Sequence, residues 1–168
     1  MNDIEKDFLG NMKEIKQYKC LTDLEEFINE FKSIRVRPTS RGSHPTMYPE
    51  RVEGRYRTVM GVRICDYKFS TDEMWVLPDD QMGLSFSGSW ENLKFSHRMV
   101  SGKKKPVDIF WVLSEADLPR RMKFVEDRSR SGHYFLTVTE RMRIEDLVYD
   151  LQWIANKLNV IKEGGSAL

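Results

Sequence analysis

The chain has 168 residues, 40% hydrophobic and 32% charged, with nine Phe, six Tyr, four Trp and a net charge of +1. That length folds most simply as one domain burying roughly 70% of its unfolded surface, and so many core-forming side chains exclude a disordered chain. No apolar run approaches the roughly 20 residues that span a bilayer, Met1-Asn2-Asp3-Ile4-Glu5 lacks the layout of a secretory signal, and Cys20 and Cys65 are too few for a disulfide framework. A soluble protein in a reducing, cytoplasmic setting is therefore expected.

Ile4, Phe8, Met12 and Ile15 recur at helical spacing, predicting an amphipathic helix over 3–18. A second helix follows from the capping pair Thr22 and Glu25, with Leu24, Phe27, Ile28 and Phe31 on one face. In Ile34-Arg35-Val36-Arg37 the period drops to two, so both arginines fall on one face of a strand. From Pro38 to Gly54 there is no apolar period, predicting a loop of about 17 residues, a length that is usually functional. With Arg41, His44 and Arg51 it is expected to be mobile and to lie over a cleft. Charge is uneven: residues 1–32 carry eight acidic and five basic side chains, and 33–68 carry three acidic and eight basic. The basic segment is the expected contact for anions.

Tyr56 to Cys65 and Met74 to Leu77 have strand composition. Gly83 to Ser87 predicts a strand, followed by a short helix capped by Ser87 or Ser89 and carrying Trp90, Leu93, His97 and Val100. Lys103-Lys104-Lys105 marks a charged turn, Val107 to Leu113 a central strand, and Met122 to Val125 and His133 to Thr139 two more strands. Ile144, Leu147, Val148, Leu151, Ile154, Ala155 and Leu158 predict a closing helix of about four turns. Helices, then strands, then a helix give an α+β domain with N-terminal helices, a mostly antiparallel sheet and a C-terminal helix. The expected divisions are a helical segment over 1–32, a core over 33–162 and a flexible tail over 163–168. Within the core, Gly83–Ser87 and His133–Thr139 are expected to be neighbouring strands covered by the terminal helix.

His44, His97 and His133 lie far apart and no cysteine sits at ligand spacing, so no metal is expected. Neither a Gly-x-x-x-x-Gly-Lys phosphate loop nor a Gly-x-Ser-x-Gly elbow occurs. Asp79-Asp80 beside Pro78 reads as a solvated turn. Arg35 and Arg37 suit either a fork for a diphosphate or carboxylate or an edge strand guarded by charge. Ser85 at a strand end, before a helix with free N–H groups, can meet a phosphate or sugar. His133 can donate to a ribose hydroxyl or move a proton near neutral pH. A serine at a strand end is commonplace, however, and a strand histidine is more often packed than functional. If functional, both contact ligand rather than core.

The order of Ile34-Arg35-Val36-Arg37-Pro38, Gly83-Leu84-Ser85-Phe86, Leu118-Pro119 with Met122-Lys123-Phe124-Val125-Glu126-Asp127, Gly132-His133-Tyr134-Phe135-Leu136-Thr137 and a Met142-led helix resembles the small ADP-ribosyltransferase-like toxins delivered by bacterial type VI secretion and found at the ends of polymorphic toxins. The resemblance covers the second half of the chain better than the first. It implies a split sheet with an NAD-sized cleft, NAD as substrate, Arg35 and Arg37 on the diphosphate, Ser85 and Tyr134 on the cofactor, and Ser85 and His133 as catalytic residues. It also implies bacterial competition in the cytoplasm of a target cell, with an immunity or antitoxin protein as partner. Leu84 stands where the wider family often has Thr or Ser, and a clear catalytic Glu is lacking; Glu126 and Glu140 are the nearest acidic candidates. The rival class is a non-enzymatic module that recognises a protein partner or RNA through the basic surface.

Overall fold

The strand with apolar residues on both faces organises the fold. In β8 (Val107–Ser114), Phe110 and Val112 point to one face and Trp111 and Leu113 to the other, so neither face can remain in water. The computed structural model describes residues 17–18, 21–30, 32–40, 42–101 and 107–163. Around β8 it places a seven-stranded sheet in the order β1 (Gln17–Tyr18), β12 (Asn159–Glu163), β8, β2 (Ile34–Ser40), β7 (Leu84–Ser87), β10 (His133–Val138), β9 (Met122–Glu126). Every pairing is antiparallel except that of β1 with β12.

One face carries Leu84 and Phe86 of β7, Leu113 of β8 and Leu136 of β10, packed with Leu147, Leu151 and Ile154 of helix α3 (Ile144–Lys157). Against the other face, presenting Ile34, Val36 and Phe110, lies helix α2 (Trp90–Ser101) with Leu93 buried. Helix α1 (Leu21–Glu30) joins α2. The α+β class, the mostly antiparallel sheet, the C-terminal helix, and the adjacency of β7 and β10 beneath it all match the sequence expectation.

Several expectations change. Of the helix foreseen over 3–18, only residues 17 and 18 lie among those described, and they form β1. The Tyr56–Cys65 segment is mostly turns around a small hairpin, β3 (Thr58–Val59) with β4 (Val62–Arg63), because Met60 and Gly61 take positive φ and reverse the chain. Met142-Arg143 does not lead the helix: it forms β11, paired with β6 (Trp75–Leu77), which also pairs with β5 (Lys68–Phe69). Finally, the chain continues from α3 into β12, which reaches Glu163 and covers the edge of β8.

The foreseen loop also starts later, because β2 runs through Pro38 to Ser40. Proline is tolerated there because beyond Val36 the flank facing β7 has no ladder to feed. The following segment is anchored: Thr46 Oγ1 donates to Leu151 O at 2.9 Å, Tyr48 N to Gly61 O at 2.9 Å and Thr58 N to Arg51 O at 2.8 Å. The Tyr48 and Thr58 amides are therefore expected to exchange with solvent much more slowly than the exposed Glu50 and Val52 amides. Uniformly fast exchange over 42–58 would restore the mobile-loop expectation.

Candidate functional site

Strand β2 pairs with β8 along its length but with β7 only at Val36 opposite Ser87. From Arg37 onward β2 and β7 part, and a cavity of ≈ 1000 Å³ opens at the split. Its walls come from the end of β2, the segment Gly42–Pro49, Arg63 of β4 and Asp66 of the turn after it, Ser85 of β7, Val100 of α2, Val107 of β8 and Gln152 of α3.

Arg37 holds the split open. Its Nε donates to Pro45 O at 2.9 Å, Nη1 to Ser85 O at 3.1 Å and Nη2 to the Tyr48 hydroxyl at 2.7 Å. Five N–H donors on a guanidinium leave two for a ligand. Arg63 stacks on the Tyr48 ring at 3.7 Å and on Tyr56 at 4.6 Å. Among the described residues its side chain makes no hydrogen bond or ion pair, so its fork remains available to an anion. His44 Nδ1 accepts from the backbone N–H groups of Thr46 and Met47, at 3.2 and 3.1 Å, which leaves the ring proton on Nε2. Burial holds His44 below the ordinary imidazole range.

Asp66 is the carboxylate of this cleft. Burial raises its proton affinity, while Arg37, Arg63 and a weak contact from Cys65 Sγ at 3.9 Å lower it. Its Oδ2 is buried without a partner. The next residue, Tyr67, is buried in the core and donates to Leu136 O at 2.8 Å. Core anchoring at Tyr67 therefore fixes where Asp66 sits.

Of the residues singled out in the sequence, Arg37 and Ser85 come together at the cavity; Arg35, His133 and Tyr134 do not line it. Arg35 is buried, with Nη2 on Glu115 Oε1 at 2.8 Å, Nη1 on the carbonyls of Lys32 and Ile34, and the Tyr134 ring 3.8 Å away. These partners make Arg35 and Tyr134 a structural clasp beside Gly88, where a Cβ would stand 2.6 Å from the Tyr134 ring. His133 pairs across the ladder with Ser87, as Phe135 does with Ser85, so Ser85 and His133 share a face of the sheet. Only Ser85 is exposed, whereas His133 is 5% exposed, contrary to the expectation that both contact ligand alone.

His133 Nδ1 lies 2.8 Å from Asp127 Oδ2, and its Nε2 is buried without a partner. Burial is the larger influence and lowers its pKa, helped by Arg130 and opposed by Asp127. A lowered folded pKa means that the unfolded chain takes up the proton first as pH falls, so stability should decline from about pH 6.5 down through the folded value. Melting between pH 7.5 and roughly pH 5 should fall more steeply for the wild type than for His133→Gln. Equal slopes would remove His133 as the titrating group.

Arg63, Tyr48 and Asp66 carried no motif in the sequence. The available signal was the excess of basic residues over 33–68, interleaved with Tyr48 and Tyr56. Among the described residues no helix is long and apolar enough to cross a membrane, and no three His, Cys, Asp or Glu side chains gather as a metal site would need. Comparison with protein-family models, with curated proteins and with solved structures gave no match.

Proposed function

We propose that this chain is a toxin-like, NAD-consuming enzyme of the ADP-ribosyltransferase kind, with NAD seated in the cleft between β2 and β7. The observation that carries this reading is the meeting of two guanidiniums, Arg37 and Arg63, at the Tyr48 ring in a dinucleotide-sized gap that Ser85 also lines. Two forks facing one cavity suit a diphosphate, and the aromatic rings offer stacking surface to a base. The side-by-side order of the arginine strand β2, serine strand β7 and histidine strand β10 supports a split sheet of that family.

In this chemistry the bond between ribose C1′ and the nicotinamide nitrogen breaks. Nicotinamide leaves with the bonding pair, and the sugar develops oxocarbenium character. A nucleophilic acceptor then adds to C1′ and loses its proton. Ser85 lies at the exposed edge of the gap, where its hydroxyl can hold the nicotinamide ribose as charge develops. His133, buried behind it, acts through the β7–β10 ladder as a positioning residue. The acceptor lies in the target cell's cytoplasm, and an immunity protein would protect the producing cell by covering the cleft.

Expression in bacteria with and without Ser85→Ala, together with nicotinamide release from NAD by the purified proteins, tests the reading. Growth arrest and nicotinamide release by the wild type, both reduced at least about tenfold by Ser85→Ala at unchanged melting temperature, are expected. A folded wild type that releases no nicotinamide would overturn it. In that case the run of Arg55, Tyr56, Arg63 and Tyr48, alternating cation and ring as a single-stranded RNA platform does, would favour the binding-module reading.

A further inference from the structure

Asp66 is the one carboxylate among the residues lining the cavity. Neither guanidinium forms an ion pair with it among the described residues: Arg37 is directed to Pro45, Ser85 and Tyr48, and Arg63 lies on the tyrosine rings. Its Oδ1 has only the long thiol contact, and its Oδ2 has no partner. A buried acceptor without a donor is costly and uncommon, and a ligand donor would relieve it.

Two nearby arginines would repel a metal cation, so the missing partner is not a metal ion. An anion's own oxygens would meet repulsion at Asp66 and belong on the guanidiniums. The remaining donors of a nucleotide are its hydroxyl and amino groups. Of these, only a ribose diol presents two adjacent O–H donors matched to two carboxylate oxygens, and it lies a few bonds from the phosphates that the arginines would hold.

We infer that Asp66 is the acceptor for the vicinal hydroxyls of a ribose, making the cleft selective for ribonucleotides over their dideoxy forms. This rests on the NAD reading above and adds the group that reads the sugar. Anchored by Tyr67 in the core, the turn holds Asp66 at the cleft wall, and rotation of its side chain brings the buried Oδ2 within reach of the diol.

Calorimetric titration of the full chain with NAD, and with NAD analogues lacking both hydroxyls of one ribose or the other, tests the inference. One dideoxy analogue should bind the wild type at least about tenfold more weakly than NAD. Asp66→Ala should lose a similar factor for NAD and bind NAD and that analogue equally. Because Oδ2 has no partner, the variant should melt no lower than the wild type; if it fails to fold, Asp66→Asn carries the same comparison. Unchanged NAD affinity in the variant, or an undiminished penalty for the missing hydroxyls, would overturn the role of Asp66 while leaving NAD binding intact. Absence of NAD binding by the wild type would overturn both.

Discussion

Arg63→Ala is expected to weaken NAD binding by about 30-fold or more while leaving the melting temperature within a degree or two of wild type. A charge-assisted hydrogen bond contributes roughly 1.5–3 kcal/mol, and the Arg63 fork can make two to a diphosphate. Its own packing is limited to the Tyr48 and Tyr56 rings, and Asp66 keeps Arg37 as a nearby positive charge, so truncation should cost little stability. Arg37→Ala should behave differently. It removes the three bonds that tie β2 to Pro45, Ser85 and Tyr48, so binding and melting should fall together. Titration and melting of the two variants in parallel separate a ligand-holding arginine from one that also builds the wall. Arg63→Ala with unchanged affinity would leave the cleft without its principal anion contact.

The largest expected loss of stability is for Gly83→Ala. A Cβ at Gly83 would lie 2.3 Å from Leu136 O and 2.7 Å from its carbonyl carbon. Both are backbone atoms of β10, at the point where Leu136 pairs with Leu84. No side-chain rotation relieves that overlap, so β7 and β10 must separate. The cost should be about 3 kcal/mol, the upper part of the overpacking range, or roughly 6–12 °C in melting temperature for a domain of this size. Gly42→Ala is the control, since nothing lies within 4 Å of its Cβ and only its positive φ of 81° is penalised. That substitution should cost only about 1 kcal/mol. Equal melting of the two variants would contradict the close approach of β7 to β10.

The elements legible in the sequence are those whose periodicity is enforced by burial. Val107 to Leu113 alternates between two covered faces, and α3 keeps one face on the sheet, so both patterns survive folding unchanged. The strand β12 was not legible because Asn159–Glu163 is extended only by pairing with β8, a partner about fifty residues earlier. Tyr56 to Cys65 has strand composition, yet the positive φ values at Met60 and Gly61 fold it into a hairpin. In the site, the alternation of Arg35 and Arg37 was readable, but not that Glu115 and Tyr134 engage the first while the second spans the split. The convergence of Arg63 and Asp66 with β2 depends on a turn anchored by Tyr67, a tertiary contact that no local pattern encodes.

If NAD occupies the gap between β2 and β7, amide hydrogen exchange of the full chain should change there when saturating NAD is added. Protection should appear together in residues 37–49, in the Arg63–Asp66 turn and around Ser85, with β9 and the outer surface of α3 unchanged. No change in those three segments at saturating NAD, or protection confined to another surface, would mean that NAD does not bind between β2 and β7.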